Sequence, residues 1–426
     1  MRNIVLAVIS LLLLAGCQHT PPLTTENNLC QIKRYSLEQP LPGEEEMTSI
    51  LGDRPGDMLL LSGGSQNGAF GAGFLQGWHS TGDMPQFSLV TGISTGALQA
   101  TGAFIGRPEI TVEGYTINAE SELLEAYVDG SALESGLGAG PAITAIRKGA
   151  IADLVPLRAH LDRILTQQVL EAVAARYDPE GNGAYLLVGA TDVDLGRAVA
   201  FDMTELASRY AAEAAGSDRK ARLKECYIEA LVASSIVPPG AKPVFIDNRM
   251  YIDGGVRYAV FDDRIGKMLL DGQPDPTLEV TGPSLYILLN SDGASKERCG
   301  KVNAGDCTPP SSLRGQHEDW DILGLALRTV KLLVGQVERS AISRAADRAE
   351  ELPSQLFFVR IEDEDLDDPQ LAFEIDDFPG KKTCNEWRAD DDRVDQPLEF
   401  HKRYMRCMIQ YGKSRGAAQD WNLGPS

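Results

Sequence analysis

Histidine is scarce in this chain: His19, His79, His160, His317 and His401 are the five present among 426 residues. That limits both the metal sites and the histidine-based hydrolytic machinery the protein can assemble. Positive charge is also short, with 40 Lys and Arg against 61 Asp and Glu and a formal charge of -21. Such a surface disfavours nucleic acid as a partner, and it disfavours non-specific attraction to anionic lipid. The apolar stretch from Ile4 to Leu14 falls well short of the roughly twenty residues a bilayer-spanning helix needs. No C-x-x-C pair occurs, so the cysteines give no support to a metal site, and none is expected. Internal repeats are absent as well.

What the chain does contain is a G-x-S-x-G pentapeptide, Gly92-Ile93-Ser94-Thr95-Gly96, set between an apolar run and a helix-like run. Phe87 to Thr91 reads as a short buried strand and Ala97 to Phe104 as the helix behind it. A strand-turn-helix elbow forces the serine into a strained conformation and lifts its hydroxyl clear of the sheet. Gly92 and Gly96 permit the tight turn, and the helix N-terminus aims amides at developing negative charge.

Upstream, the apolar strand Met58 to Leu61 runs into Ser62-Gly63-Gly64-Ser65-Gln66-Asn67-Gly68 and then a helix-like segment from Ala69 to Trp78. A glycine-rich strand-to-helix turn offers backbone donors to a tetrahedral oxyanion, and Gly63, Gly64 and Ser65 are the candidates. A nucleotide-phosphate loop is the competing reading. It would need the lysine of a G-x-x-x-x-G-K-[ST] loop or an acidic ribose partner at Rossmann spacing, and neither is evident.

A nucleophilic serine needs a base. His79 reads as a helix end and His160 as a helix-surface residue, while His317 and His401 fall late enough for a Ser…Asp…His order. Asp253 is a stronger candidate. Val244 to Ile246 and Met250 to Ile252 read as strands of a hairpin, with Asp253-Gly254-Gly255 directly after the second. A turn aspartate bonding its own backbone is the plainer alternative.

Taken in order, the glycine loop, the elbow and Asp253-Gly254-Gly255 resemble the patatin-like phospholipase family, over roughly Gly56 to Asp292. Gly189 to Arg197 and Ala233 to Pro239 fit the same resemblance as a central strand with its turn and a helix end before the hairpin. Two departures stand out. Ser65 and Asn67 replace a third glycine and a basic residue in the loop, and Arg257 to Phe261 replace a frequent asparagine and proline. The resemblance implies an α/β, three-layer α/β/α fold with a mainly parallel sheet; beyond Asp292, where it fades, helical periodicity over Trp320 to Leu352, a strand at Leu356 to Val359 and a helix at Leu398 to Ile409 read as a C-terminal α/β extension. The resemblance also implies a cofactor-free Ser94–Asp253 dyad that cleaves lipid acyl esters in the manner of a phospholipase A or lysophospholipase. A histidine-based α/β-hydrolase and a non-catalytic lipid-binding scaffold remain as alternatives.

The first sixteen residues read as a signal peptide, and Leu14-Ala15-Gly16-Cys17 resembles the bacterial lipobox, whose cysteine is lipidated. Gln18 after Cys17 resembles the sorting pattern for the outer membrane, so the expected location is the cell envelope, anchored through lipid on Cys17. Residues 17–55 then read as a Pro/Thr/Glu-rich tether, 56–292 as the hydrolase core and 293–426 as an extension packed on it. Six further cysteines suit three disulfides: Cys299 with Cys307, Cys384 with Cys407, and Cys30 with Cys226 by subtraction.

Overall fold

The computed structural model describes residues 23–26, 29–36, 45–46, 56–115, 125–126, 150, 152–180, 182–238, 240–261, 283–291, 329, 332–341, 343, 344, 347, 356–395 and 400–423. Cys17 and the signal segment, the 130–150 stretch up to residue 149, Cys299, Cys307 and His317 lie outside these residues.

The middle of the central sheet is built from short strands buried on both faces, such as Met58–Leu61 and Leu285–Leu289. Arg34–Ser36 (β1), Glu45–Glu46 (β2), Met58–Leu61 (β3) and Leu89–Ile93 (β4) come first. A small separate ladder follows, Glu125–Ala126 (β5) with Ala152–Asp153 (β6). Tyr185–Asp192 (β7), Arg197–Asp202 (β8), the hairpin Val244–Ile246 (β9) and Arg249–Asp253 (β10), Leu285–Leu289 (β11) and Leu356–Arg360 (β12) return to the main sheet. Phe373–Ile375 (β13) and Phe378–Lys382 (β14) form a two-stranded ladder of their own, and Asn422–Leu423 (β15) closes one edge of the main sheet. The main order is β15-β12-β11-β3-β4-β7-β8-β1-β2, with β10 on β7 and β9 on β10. The five strands from β12 to β7 are mutually parallel.

Both faces of those parallel strands are covered, and the side chains sort by the two-residue period of a strand. Leu59, Leu61, Val90, Leu186 and Val188 enter one core with helices Gly68–His79 (α1), Thr95–Phe104 (α2), Glu109–Tyr115 (α3), Val155–Ile164 (α4) and Gln167–Ala174 (α5). Met203–Ala212 (α6), Asp218–Ser234 (α7), Cys384–Val394 (α8) and Lys402–Ala417 (α9) contribute to the same core. Met58, Leu60, Leu89, Leu187 and Ile287 enter the second core, covered by Ala259 to Phe261 and by Val337 and Ala341 of a helical stretch at 332–341. The chain is therefore mixed α/β, with a mainly parallel sheet flanked by helices.

Part of the expected tether belongs to the body of the protein. Cys30 bonds Cys226, closing 196 residues, and Cys30, Ile32 and Tyr35 are buried while β1 pairs antiparallel to β8. A three-residue strand has no readable periodicity, so the tether reading extended too far. Nor does packing break after residue 292. β12 and β15 extend the same sheet, and α9 runs alongside α1 so closely that a methyl on Gly73 would lie 2.1 Å from Ile409 O. Cys384 bonds Cys407 across α8 and α9. Two of the three expected disulfides are thus present, and the third lies outside the described residues.

Candidate active site

The register of β7 brings the serine and the aspartate together. Along its first half β7 pairs with β4, ending at Gly189 opposite Ile93. From Ala190 onward that same edge pairs with β10, and Ala190 lies opposite Asp253. Ser94, the next residue after β4, therefore sits beside the last residue of β10. Their approach follows from the sheet: β4 stops where the hairpin begins. The hairpin itself turns through Asp247 and Asn248, at φ 53° and 64°, the two positive values a tight type I′ connection requires.

Ser94 has φ 56° and ψ −126°, outside the regions a side-chain-bearing residue ordinarily occupies. It is held there from three sides. Its N–H donates to Ser234 Oγ at 2.9 Å, and the Ser234 hydroxyl donates to Gly189 O at 2.6 Å. Its carbonyl accepts from Ala97 N at 2.9 Å and from Ser235 Oγ at 3.3 Å. The elbow glycines are there for close approach. A Cβ on Gly92 would lie 2.4 Å from Gly96 O, and one on Gly96 would lie 2.4 Å from Leu61 O and 2.6 Å from Ser62 O.

Asp253 is 4 % exposed and lies beside Ser94, whose hydroxyl favours its charged form. Burial pushes this carboxyl up to about 6, only partly offset by the Ser94 hydroxyl and the Gly255 amide. The Gly255 N–H reaches Asp253 Oδ1 at 2.6 Å, Thr191 Oγ1 donates to the Asp253 carbonyl at 3.0 Å, and the Asp253 N–H donates to Ile236 O at 2.7 Å. The plain turn-aspartate contact and the contact to serine coexist on one side chain.

The glycine loop flanks this pair. A Cβ on Gly63 would stand 3.2 Å from Ser94 Cβ and 3.8 Å from its Oγ. Gly64 has φ 152° and backs onto Asn290 O, where a Cβ would be only 1.9 Å away. Among the described residues, the Gly63 and Gly64 amides have no acceptor. Ser65, at φ 50°, is exposed and opens a short 3-10 turn ending at Asn67. Of the three expected donors, Gly63 is the one directly beside the serine.

A buried amide network that no local pattern announced fixes the loop to the sheet. Asn290 N donates to Ser62 Oγ at 2.8 Å and Asn290 Nδ2 to Ser62 O at 2.9 Å. Asn290 and Gln99 exchange amide hydrogen bonds at 3.1 and 3.2 Å, and Gln99 Nε2 also donates to Gly68 O at 2.7 Å. Ser234 is a second such residue, lying in a segment read only as a helix end.

The histidines take other roles. His401 meets Gln66 Oε1 through Nδ1 at 2.9 Å and Asp392 Oδ1 through Nε2 at 2.6 Å, so both ring nitrogens face acceptors and neither faces Ser94. His160 pairs with Arg163 on α4, and its ring is held below the ordinary imidazole range by burial and then by that guanidinium. His79 is exposed at the end of α1. Among the described residues no cluster of three His, Cys, Asp or Glu side chains is arranged to hold a metal, and no helix is long and apolar enough to cross a membrane.

Residues 59–261, just under half of the chain, match the family model described as patatin-like phospholipase, a match that suggests lipid acyl hydrolase activity. No curated protein matches the chain. Among solved structures, VipD from Legionella pneumophila is similar over 83% of this chain and 67% of that one, at 13% identity and a TM-score of 0.29. At that score the likeness bears on neither site nor function.

Proposed function

We propose that the protein is a serine acyl hydrolase of lipid esters, phospholipase A- or lysophospholipase-like, working through Ser94 and Asp253. The observation that carries this reading is Ser94 on a strained backbone next to the buried Asp253 carboxyl, with Gly63 of the glycine loop alongside. Asp253 takes the hydroxyl proton as Ser94 Oγ attacks the ester carbonyl carbon. The tetrahedral oxygen accepts from the Gly63 and Gly64 amides. Collapse breaks the ester C–O bond, the protonated Asp253 returns its proton to the departing alcohol, and an acyl-Ser94 ester remains. Asp253 then draws a proton from water, which attacks the acyl carbon; the Ser94 Oγ–acyl bond breaks, Asp253 returns that proton to Ser94 Oγ, and the fatty acid is freed. A carboxylate with its pKa near 6 is ionised at neutral pH and about a hundredfold more basic than an ordinary aspartate.

The location belongs to the same proposal. The lipobox-like Leu14-Ala15-Gly16-Cys17 supports a lipid-anchored envelope protein, with the anchor holding the enzyme at the membrane that contains its substrate. Labelling by a fluorophosphonate tests the chemistry without a choice of substrate. The native protein should label, Ser94→Ala should not, and Asp253→Asn should label at least a hundredfold more slowly, on the order of a lost general base. Undiminished labelling of Asp253→Asn would place the base elsewhere, and an unlabelled native protein would favour a binding role.

A further inference from the structure

The loop beside Ser94 is gripped from a part of the chain more than three hundred residues away. Gln66 Oε1 accepts from both the backbone N–H of His401, at 2.8 Å, and its Nδ1, at 2.9 Å. One turn further along α9, Tyr404 Oη donates to Asn67 Oδ1 at 2.9 Å. Asn67 stands where the family resemblance called for a basic residue, and its side chain is committed to this contact.

His401 and Tyr404 are themselves fixed. His401 reaches Asp392 on α8 at 2.6 Å. Buried Asp391 accepts from the N–H groups of Arg403 and Tyr404 at 2.8 and 3.0 Å and from Arg403 Nη1 at 2.8 Å. The Cys384–Cys407 disulfide joins the two helices. α9 in turn packs backbone to backbone on α1: a Cβ on Gly412 would fall 2.0 Å from Phe70 O. The start of α9 therefore has a fixed position relative to the start of α1, where the glycine loop ends.

The loop needs such support. Gly64 and Ser65 hold successive positive φ values of 152° and 50°, a backbone that persists only when its surroundings over-determine it. Asn290 fixes its first residue, Ser62, while His401 and Tyr404 take hold of Gln66 and Asn67. We propose that the α8–α9 hairpin is a clamp on the oxyanion loop, with His401 and Tyr404 as positioning residues that keep the Gly63 and Gly64 amides at the Ser94 hydroxyl. The inference rests on the acyl-hydrolase reading. His401 acts through Gln66 and touches neither Ser94 nor Asp253.

The test uses the full chain with its disulfides intact and the variants His401→Ala, Gln66→Ala, their double, and Tyr404→Phe, which removes a single hydroxyl. Two readouts apply: the fluorophosphonate labelling rate and amide hydrogen exchange over residues 63–68. Each single loop–clamp variant should label about tenfold more slowly, a fraction of what loss of one oxyanion donor costs. Exchange in the loop should quicken in all of them. Because His401 and Gln66 act along one contact, the double variant should be no slower than the slower single. Labelling at the wild-type rate in His401→Ala and Tyr404→Phe, or losses that multiply in the double, would overturn the clamp. Failure of the underlying reading shows separately, as a native protein that does not label. The clamp is then judged by exchange alone, and unchanged exchange in the variants overturns it.

Discussion

Replacing Asp253 with asparagine should remove the proposed base and at the same time stabilise the fold at neutral pH. The carboxyl is 4 % exposed and pushed up by burial to about 6, from 3.8 for the unperturbed group. A carboxyl whose pKa rises on folding favours its protonated form in the folded state. Its contribution to stability is therefore complete below pH 3.8 and is lost as pH climbs through 6. The rise from 3.8 to about 6 corresponds to about 3 kcal/mol held against the native state once the group is charged. Asparagine keeps an oxygen for the Ser94 hydroxyl and the Gly255 amide, and it has no charge to bury. The stability gap between Asp253→Asn and the native protein should thus widen in favour of the variant by about 3 kcal/mol from pH ~3.5 to ~7.5, with about half reached near pH 5. Asp202, also pushed to about 6 by burial, titrates in both proteins and cancels from the difference. Urea unfolding of both proteins at a series of pH values measures the gap directly. A gap that stays constant across that range, or that turns against the variant, would refute the claim that Asp253 is strained by desolvation.

Three further outcomes follow from the same contacts. Gly63→Ala meets Ser94 Cβ at 3.2 Å without a forbidden backbone, so it should fold and lose at least ~10-fold in labelling rate; Gly64→Ala, with φ 152° and Asn290 O at 1.9 Å, should fail to give soluble protein. Soluble yield and labelling of both variants decide the matter. Ser234→Ala leaves the buried Ser94 N–H and Gly189 O without their partner, so it should cost about 2–3 kcal/mol in urea unfolding and slow labelling as the elbow relaxes.

What was legible in the sequence was what the chain encodes over a few residues. β3, at Met58–Leu61, and β11, at Leu285–Leu289, begin and end where their apolar runs do. The hairpin turn at Asp247–Asn248 carries residues that tolerate positive φ, and the elbow and glycine loop are contiguous motifs. The helix behind the elbow starts at Thr95, earlier than its apolar run, because the turn feeds straight into it. The rest depends on pairs far apart in the chain. Asn290 with Ser62, Ser234 with Ser94, and His401 with Gln66 are separated by 228, 140 and 335 residues. A lone polar residue in an apolar run looks the same whether it is solvated or completes a buried network. β1 was hidden for a related reason: its burial comes from β8 and from the Cys30–Cys226 bond, and neither leaves a local mark.

The same distances bear on where the functional unit ends. Ser94, Asp253 and the glycine loop all fall within residues 59–261, yet the groups that hold the loop are Asn290, His401 and Tyr404. α1, which carries the loop's far end, is buried along nearly its whole length between the sheet and α9. Trp78 of α1 packs on Trp421 at 4.9 Å between ring centroids, and Phe74 packs on it at 4.8 Å. Stripping away the C-terminal region would leave Phe70, Phe74 and Trp78 facing water, at roughly 1.5–3 kcal/mol for each such side chain fully exposed. The proposed Ser94–Asp253 pair is thus local to the matched segment, while the conformation of the glycine loop is a property of the whole chain. Chemistry at Ser94 and integrity of the C-terminal hairpin are linked through α1, and a substitution in either should be read for its effect on the other.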